Sequence, residues 1–257
     1  MGSNPDQLPL MQHVMMRMWR AAQHEKQAGD QVTLTLELYE RFGGLHHALE
    51  RHVRDEVMSD IKRHWGNDGE EVVEILFRQL TLRQEGAEIQ DVRRPTLFRT
   101  VADIVAARKP NRRKLLQQIT DIFRQPDMAF LSPLQPMPIH DDTMLDIIHE
   151  SILRQWSDLK GWVASENQSV RRLRELLRSA ESEGRLLDEV DTQIFSKWWD
   201  EERPSAPWAQ RYDVSAPRLA SAKDYTLRGH KWAFSKGLRI PLKSATHSSG
   251  RLPPSPG

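Results

Sequence analysis

The chain has 257 residues, 38% of them apolar and 28% charged, no cysteine, and a formal net charge of +1. These figures exclude a disulfide framework, a thiolate metal site and a thiol nucleophile, and they describe a soluble, helix-rich chain of one or two small domains. The charge is uneven: residues 215–257 carry eight Lys/Arg and one Asp, against 29 basic and 35 acidic residues before them, so the body does not read as a nucleic-acid surface.

No run approaches the ~18 consecutive apolar residues of a membrane span. The opening Met1-Gly-Ser-Asn-Pro-Asp6 has neither the basic region nor the apolar core of a secretory leader. A cytoplasmic location is the expectation.

In chain order, residues 7–25 read as a helix with Pro9 in its first turn, where a missing N–H is tolerated. Met11, Val14, Met15, Met18 and Trp19 fall at helical spacing along it. After a polar link, Val32 to Leu36 alternates like a short strand. A helix over 45–61 follows the Gly43-Gly44 turn, with His46, His47, Glu50 and His52 crowding its start. Only His46 and Glu50 share a face at i and i+4, so a polar surface is expected there rather than a metal site.

Gly66 to Gly69 breaks the chain, and residues 70–83 form a strong helix. A loop leads through Arg93-Arg94-Pro95 to helices over 97–106 and 112–124. Residues 128–131 and 144–148 then pair as a ribbon. Three helices and a ribbon are the order of a winged helix.

The stretch from Met144 to Trp156 organises the rest. A β-type run feeds into an amphipathic helix, with His149, Glu150 and Ser151 at the junction. Glu and Ser suit a helix start, where free N–H groups want acceptors. Ile152, Trp156, Leu159, Val163, Val170, Leu173 and Leu177 keep one face apolar, and Glu166 is the only gap in it. The helix bends near Ser157 and ends at Gly184. Another covers 189–199, and residues 214–257, rich in Ser, Pro, Lys and Arg, read as disordered.

No Gly-x-x-x-x-Gly-Lys-Ser/Thr loop, Gly-x-Ser-x-Gly elbow or His-Glu-x-x-His pair occurs. Asp146, His149 and Ser151 do not form a triad, because Ser151 and His149 stand two residues apart on one turn. His149 is either a structural histidine at a helix start or a sensor whose imidazole meets a phosphate from outside the domain.

Several motifs together resemble a bacterial novel STAND NTPase, in its C-terminal half. They are Asp6-Gln-Leu-Pro-Leu-Met-Gln-His13, Tyr39 to Gly44, Arg93-Arg94-Pro95-Thr96, Phe123-Arg124-x-Pro126, Asp146 to Trp156 and Pro204 to Tyr212. The resemblance implies a mostly α chain: a helical lid remnant (1–29), a winged-helix domain with a small β-ribbon (30–148), a helical arm (149–213) and a basic tail (214–257). It implies that Pro9 and His149 contact nucleotide, with Arg93, Arg94, Glu150 and Arg154 in support.

The phosphate-binding loop and the repeat sensor of such proteins are not among these residues, so the resemblance further implies a truncated or split-gene fragment. Such a piece would have no ATPase activity alone, and would meet ADP or ATP only with a nucleotide-binding core or a homologous STAND protein as partner. A homo-oligomer is compatible with this reading; a membrane is not. Two rivals stand beside it: a winged-helix DNA-binding regulator led by Arg112, Arg113 and Lys114, and a helical protein-interaction module.

Overall fold

The structure is a computed structural model that describes residues 7–26, 31–85, 89–182 and 186–235. Mostly helical, it begins with α1 (Gln7–Glu25), α2 (Leu36–Arg41) and α3 (Gly44–Arg51). A π-helical stretch, His52–Met58, joins α3 to α4 (Ser59–Gln79). Then come β1 (Thr81–Glu85), β2 (Ile89–Arg93), β3 (Thr96–Leu97), α5 (Phe98–Arg108), α6 (Arg113–Phe123), β4 (Leu131–Ser132) and β5 (Met144–Ile147). The remaining helices are α7 (Ser151–Gln155), α8 (Ser157–Glu181), α9 (Glu189–Glu202), α10 (Ala206–Gln210) and α11 (Ala216–Ser235).

The expected strand at 32–36 does not form. Thr35 accepts from the Leu38 N–H at 3.2 Å and caps α2, so the alternating residues are its extended entry. Gly66 does not stop the helix either, but kinks α4 at φ 59°, ψ −148°. That region is essentially closed to residues with a Cβ. Nothing lies within 4 Å of where a Cβ would stand, so Gly66→Ala should cost about 1–3 kcal/mol through backbone strain alone. Gly161, in mid-α8, also opens on free space but has no positive φ. Gly161→Ala should instead gain about 0.4–1 kcal/mol, and urea denaturation of the two variants checks the contrast.

The helix expected to reach residue 83 ends at Gln79. Residues 81–85 pair antiparallel with 89–93, in the register Thr81↔Arg93 and Arg83↔Asp91. Arg83 donates to both carboxylate oxygens of Asp91, at 2.7 and 2.9 Å. This cross-strand pair helps hold a hairpin in a stretch whose Leu, Arg, Gln and Glu favour helix. The ribbon at 131 and 144 does form, and β3 adds a third strand the sequence did not suggest, giving the order β3-β5-β4, all antiparallel.

One apolar core runs from α4, α5 and α6 into α8, α9 and α11. At its centre Trp156 is fully buried, with its ring 4.8 Å from Phe77, 5.1 Å from Trp162 and 6.2 Å from Phe123. Its backbone is extended (φ −87°, ψ 107°), and this breaks α7 from α8 at the bend expected near Ser157. Glu150 sits at the N-cap of α7 but makes no side-chain cap bond.

The expectation of a disordered tail from residue 214 is overturned for its first half. α11 buries Leu219, Ala222, Tyr225 and Thr226 against α8 and α9. That regular spacing of small and aromatic residues is a real apolar face, hidden when the whole tail is averaged. The expected helix stop at Gly184 and the tail from 236 onward lie outside the described residues, as does the side chain of His46.

The gap at Glu166 closes a polar joint inside the core. Glu166 is 6% exposed. It accepts from Arg78 Nε at 2.6 Å, from Trp208 Nε1 at 2.6 Å and from the Tyr212 hydroxyl at 2.5 Å. Arg78 also donates to Glu74 at 2.9 Å and to Glu202 at 3.0 Å, and Arg108 donates to Glu202 at 3.0 Å. Burial would raise the Glu202 carboxyl, but the charges of Arg78 and Arg108 outweigh it and hold it below its ordinary range.

Candidate functional site

The junction between β5 and α7 faces α1. A cleft of about 140 Å³ opens there, lined by Pro9, Gln12, His13 and Met16 of α1, by Met128 to Phe130, and by His149, Ser151 and Ile152. α1 reaches it because Leu10, Val14 and Met18 bury one face of the helix while Pro9 and Gln12 stand beside that face. On the other side, the Ile148 N–H donates to the Phe130 carbonyl at 2.9 Å and fixes the strand end. The Ile152 N–H then donates to the His149 carbonyl at 3.1 Å, so the chain turns into α7 with the His149 side chain toward the cleft.

The His149 ring is half-buried, and among the described residues neither of its nitrogens has a hydrogen-bond partner. Burial, and then the charge of Arg93, lower its pKa. The ring is therefore neutral near pH 7, with one N–H to donate and one nitrogen to accept. Beneath it, His13 and His52 meet at 3.2 Å between Nε2 and Nδ1. Phe130 packs against both, with centroids at 5.8 and 6.3 Å. Burial, then the charge of Arg17, lowers His13 to about 4 and His52 to about 3. Both rings are neutral at ordinary pH and form an uncharged floor.

At about 140 Å³, the cleft is smaller than the roughly 300 Å³ at which pockets begin to enclose a small molecule. It offers one wall with a hydrogen-bonding edge, enough for one end of a polar ligand held from outside.

Of the residues expected at the site, Pro9 and His149 share this cleft. Arg93 stands behind it, donating from Nη1 to Asp146 at 3.1 Å and to the Ile147 carbonyl at 2.9 Å, which steadies the junction. That contact also engages the Asp146 carboxylate. Glu150 pairs with Arg154 at 3.5 Å on the exposed side of α7. Arg94 points to the polar joint instead, donating to the Arg211 carbonyl at 2.7 Å and lying 5.6 Å over the Tyr212 ring. His13 and Phe130 were not singled out from sequence. His13 sits three residues after Leu10 on the buried face, which was the available signal.

The basic residues at the start of α6 are engaged within the fold: Arg112 pairs with Asp68, and Arg113 with Asp141. Among the described residues, no group of three or more His, Asp or Glu could hold a metal ion, and no helix is long and apolar enough to cross a membrane. The family model described as Novel STAND NTPase 1 matches residues 1–184. No curated protein and no solved structure matches the chain.

Proposed function

Because the chain belongs to the Novel STAND NTPase 1 family, we propose that it is the regulatory, nucleotide-state-sensing part of a STAND-type signalling NTPase, with Pro9 and His149 as its nucleotide-facing groups. One observation carries this reading: two residues far apart in sequence line the same small cleft, and one of them has ring nitrogens without partners. A neutral imidazole there can donate to a phosphate oxygen, and the bond would exist only in a closed arrangement of the two modules. The winged-helix reading of the body is supported by the sequence α4, β3, α5, α6, β4, β5 with the sheet order β3-β5-β4.

No phosphate-cradling loop occurs in the 257 residues, so we place ADP or ATP on a nucleotide-binding core supplied as partner, in a cytoplasmic signalling complex. The chain alone would not be an ATPase. Calorimetric titration of the chain with ADP should show no low-micromolar binding. Added to the nucleotide-binding core of a family member, it should slow ADP release, and His149→Ala should abolish that effect. Tight ADP binding by the chain alone, or unchanged release with His149→Ala, would refute the reading.

The interaction-module reading has its own support. Leu8, Met11, Met15 and Trp19 form an exposed apolar stripe on α1, each more than 40% accessible. Concentration-dependent dimerisation in sedimentation, lost in Met15→Glu, would favour it.

A further inference from the structure

We propose that the segment from Pro204 to Tyr212 is a releasable polar latch, through which α9–α11 engage the body formed by α4, α5 and α6. The inference rests on the regulatory reading only for what such a motion would serve.

The latch is visible in how the two parts meet. Glu202, at the end of α9, reaches Arg78 of α4 and Arg108 of α5. Trp208 and Tyr212 donate to Glu166 of α8, which also holds Arg78. Arg211 donates to Thr96 Oγ1 at 3.2 Å and to the Gln79 carbonyl, while its own carbonyl accepts from Arg94. Among the described residues, α10 meets the body chiefly at α5. Its attachment thus depends heavily on charges and hydrogen bonds that close together.

Three features make this joint separable rather than merely rigid. First, buried ions lose hydration on closing and regain it on opening, so an ionic joint parts at less net cost than an apolar one of equal area. Second, Gln79 Oε1 and Arg211 Nε are buried without a partner, and each would find water when the joint opens. Third, Arg211 lies against a like charge: burial and then Arg94 bring its pKa down to about 10. A cleft of about 160 Å³, reaching Glu166 and Tyr212 between β1 and α8, gives water a way in. The network has two arrangements, all bonds made or all groups hydrated, because leaving one carboxylate buried without its arginine is the costly middle state.

Native-state hydrogen exchange of the full chain tests this without any nucleotide, so its failure is distinct from failure of the His149 reading. In Glu166→Gln, amides of 189–235 should exchange at least about tenfold faster while those of α4–α6 change by less than about threefold. Should that variant not fold, Tyr212→Phe, which removes one hydrogen bond and keeps the ion pairs, should show the same selectivity at smaller amplitude. In Arg78→Met with Glu166→Met, which replaces the charges with apolar volume, protection of 189–235 should return. Uniform acceleration of both regions in the single variants, or no acceleration in either, would overturn the latch.

Discussion

Trp156→Ala should destabilise the chain by about 3–5 kcal/mol, a loss large enough to consume much of a domain's stability. The ring is fully buried between Phe77, Phe123 and Trp162. The neighbours that would have to collapse into the cavity belong to α4, α6 and α8, and none can move without the others. The backbone at 156 is extended between two helices, so the large ring anchors the bend that aims His149 at its cleft. Trp156→Phe should lose markedly less, since it keeps an aromatic in contact with Phe77. Urea denaturation with fluorescence reads both. A Trp156→Ala loss below about 1 kcal/mol would mean the aromatic centre is not the keystone described.

Acid should unfold the protein through His13 and His52 before its carboxylates matter. Both rings titrate at 6.5 when free and are lowered to about 4 and about 3 when folded. The unfolded chain therefore binds more protons below pH 6.5. Stability is fully present above that value and falls as pH drops toward the folded values. Two such protons set a slope of at most about 2–3 kcal/mol per pH unit between roughly pH 6 and 4.5. The Glu202 carboxyl, held below its ordinary 4.5, adds its loss only at lower pH. His52→Phe should roughly halve the slope in the upper window and leave the lower one unchanged. An unaltered slope across pH 6–4.5 in that variant would show that the histidine pair is not the cause.

Much of the helical body was legible because its faces repeat at helical spacing. α6 and α8 follow the run of Leu, Ile and Val closely, and the bend at Trp156 falls where the periodic face slips. Even Glu166 was marked as the gap in an apolar face. Nothing in its neighbours revealed its partners, because Arg78, Trp208 and Tyr212 lie far from it in sequence.

Where local preference and tertiary pairing disagree, the residues misled. Thr81 to Glu85 carry helix formers, yet the cross-strand pairing of Arg83 with Asp91 accompanies a hairpin. α11 went unseen because Leu219, Ala222, Tyr225 and Thr226 sit in a stretch otherwise charged and small. Pro9 and His149 were paired only through the family resemblance. The floor beneath them, His13 on Phe130, required the fold, since burial turns an ordinary basic side chain into a neutral packing group.

Gly229 of α11 lies so near α9 that a methyl in its place would sit 2.7 Å from Thr192 Oγ1 and 3.3 Å from Leu187 Cβ. Sliding α11 by one turn, about 5.4 Å, would bring Tyr225 or Thr226 to a spot that admits only hydrogen. The rod consequently has a single notch along its length. It can lift away and return, but it cannot creep lengthwise, so a push at one end is delivered at the other undiminished.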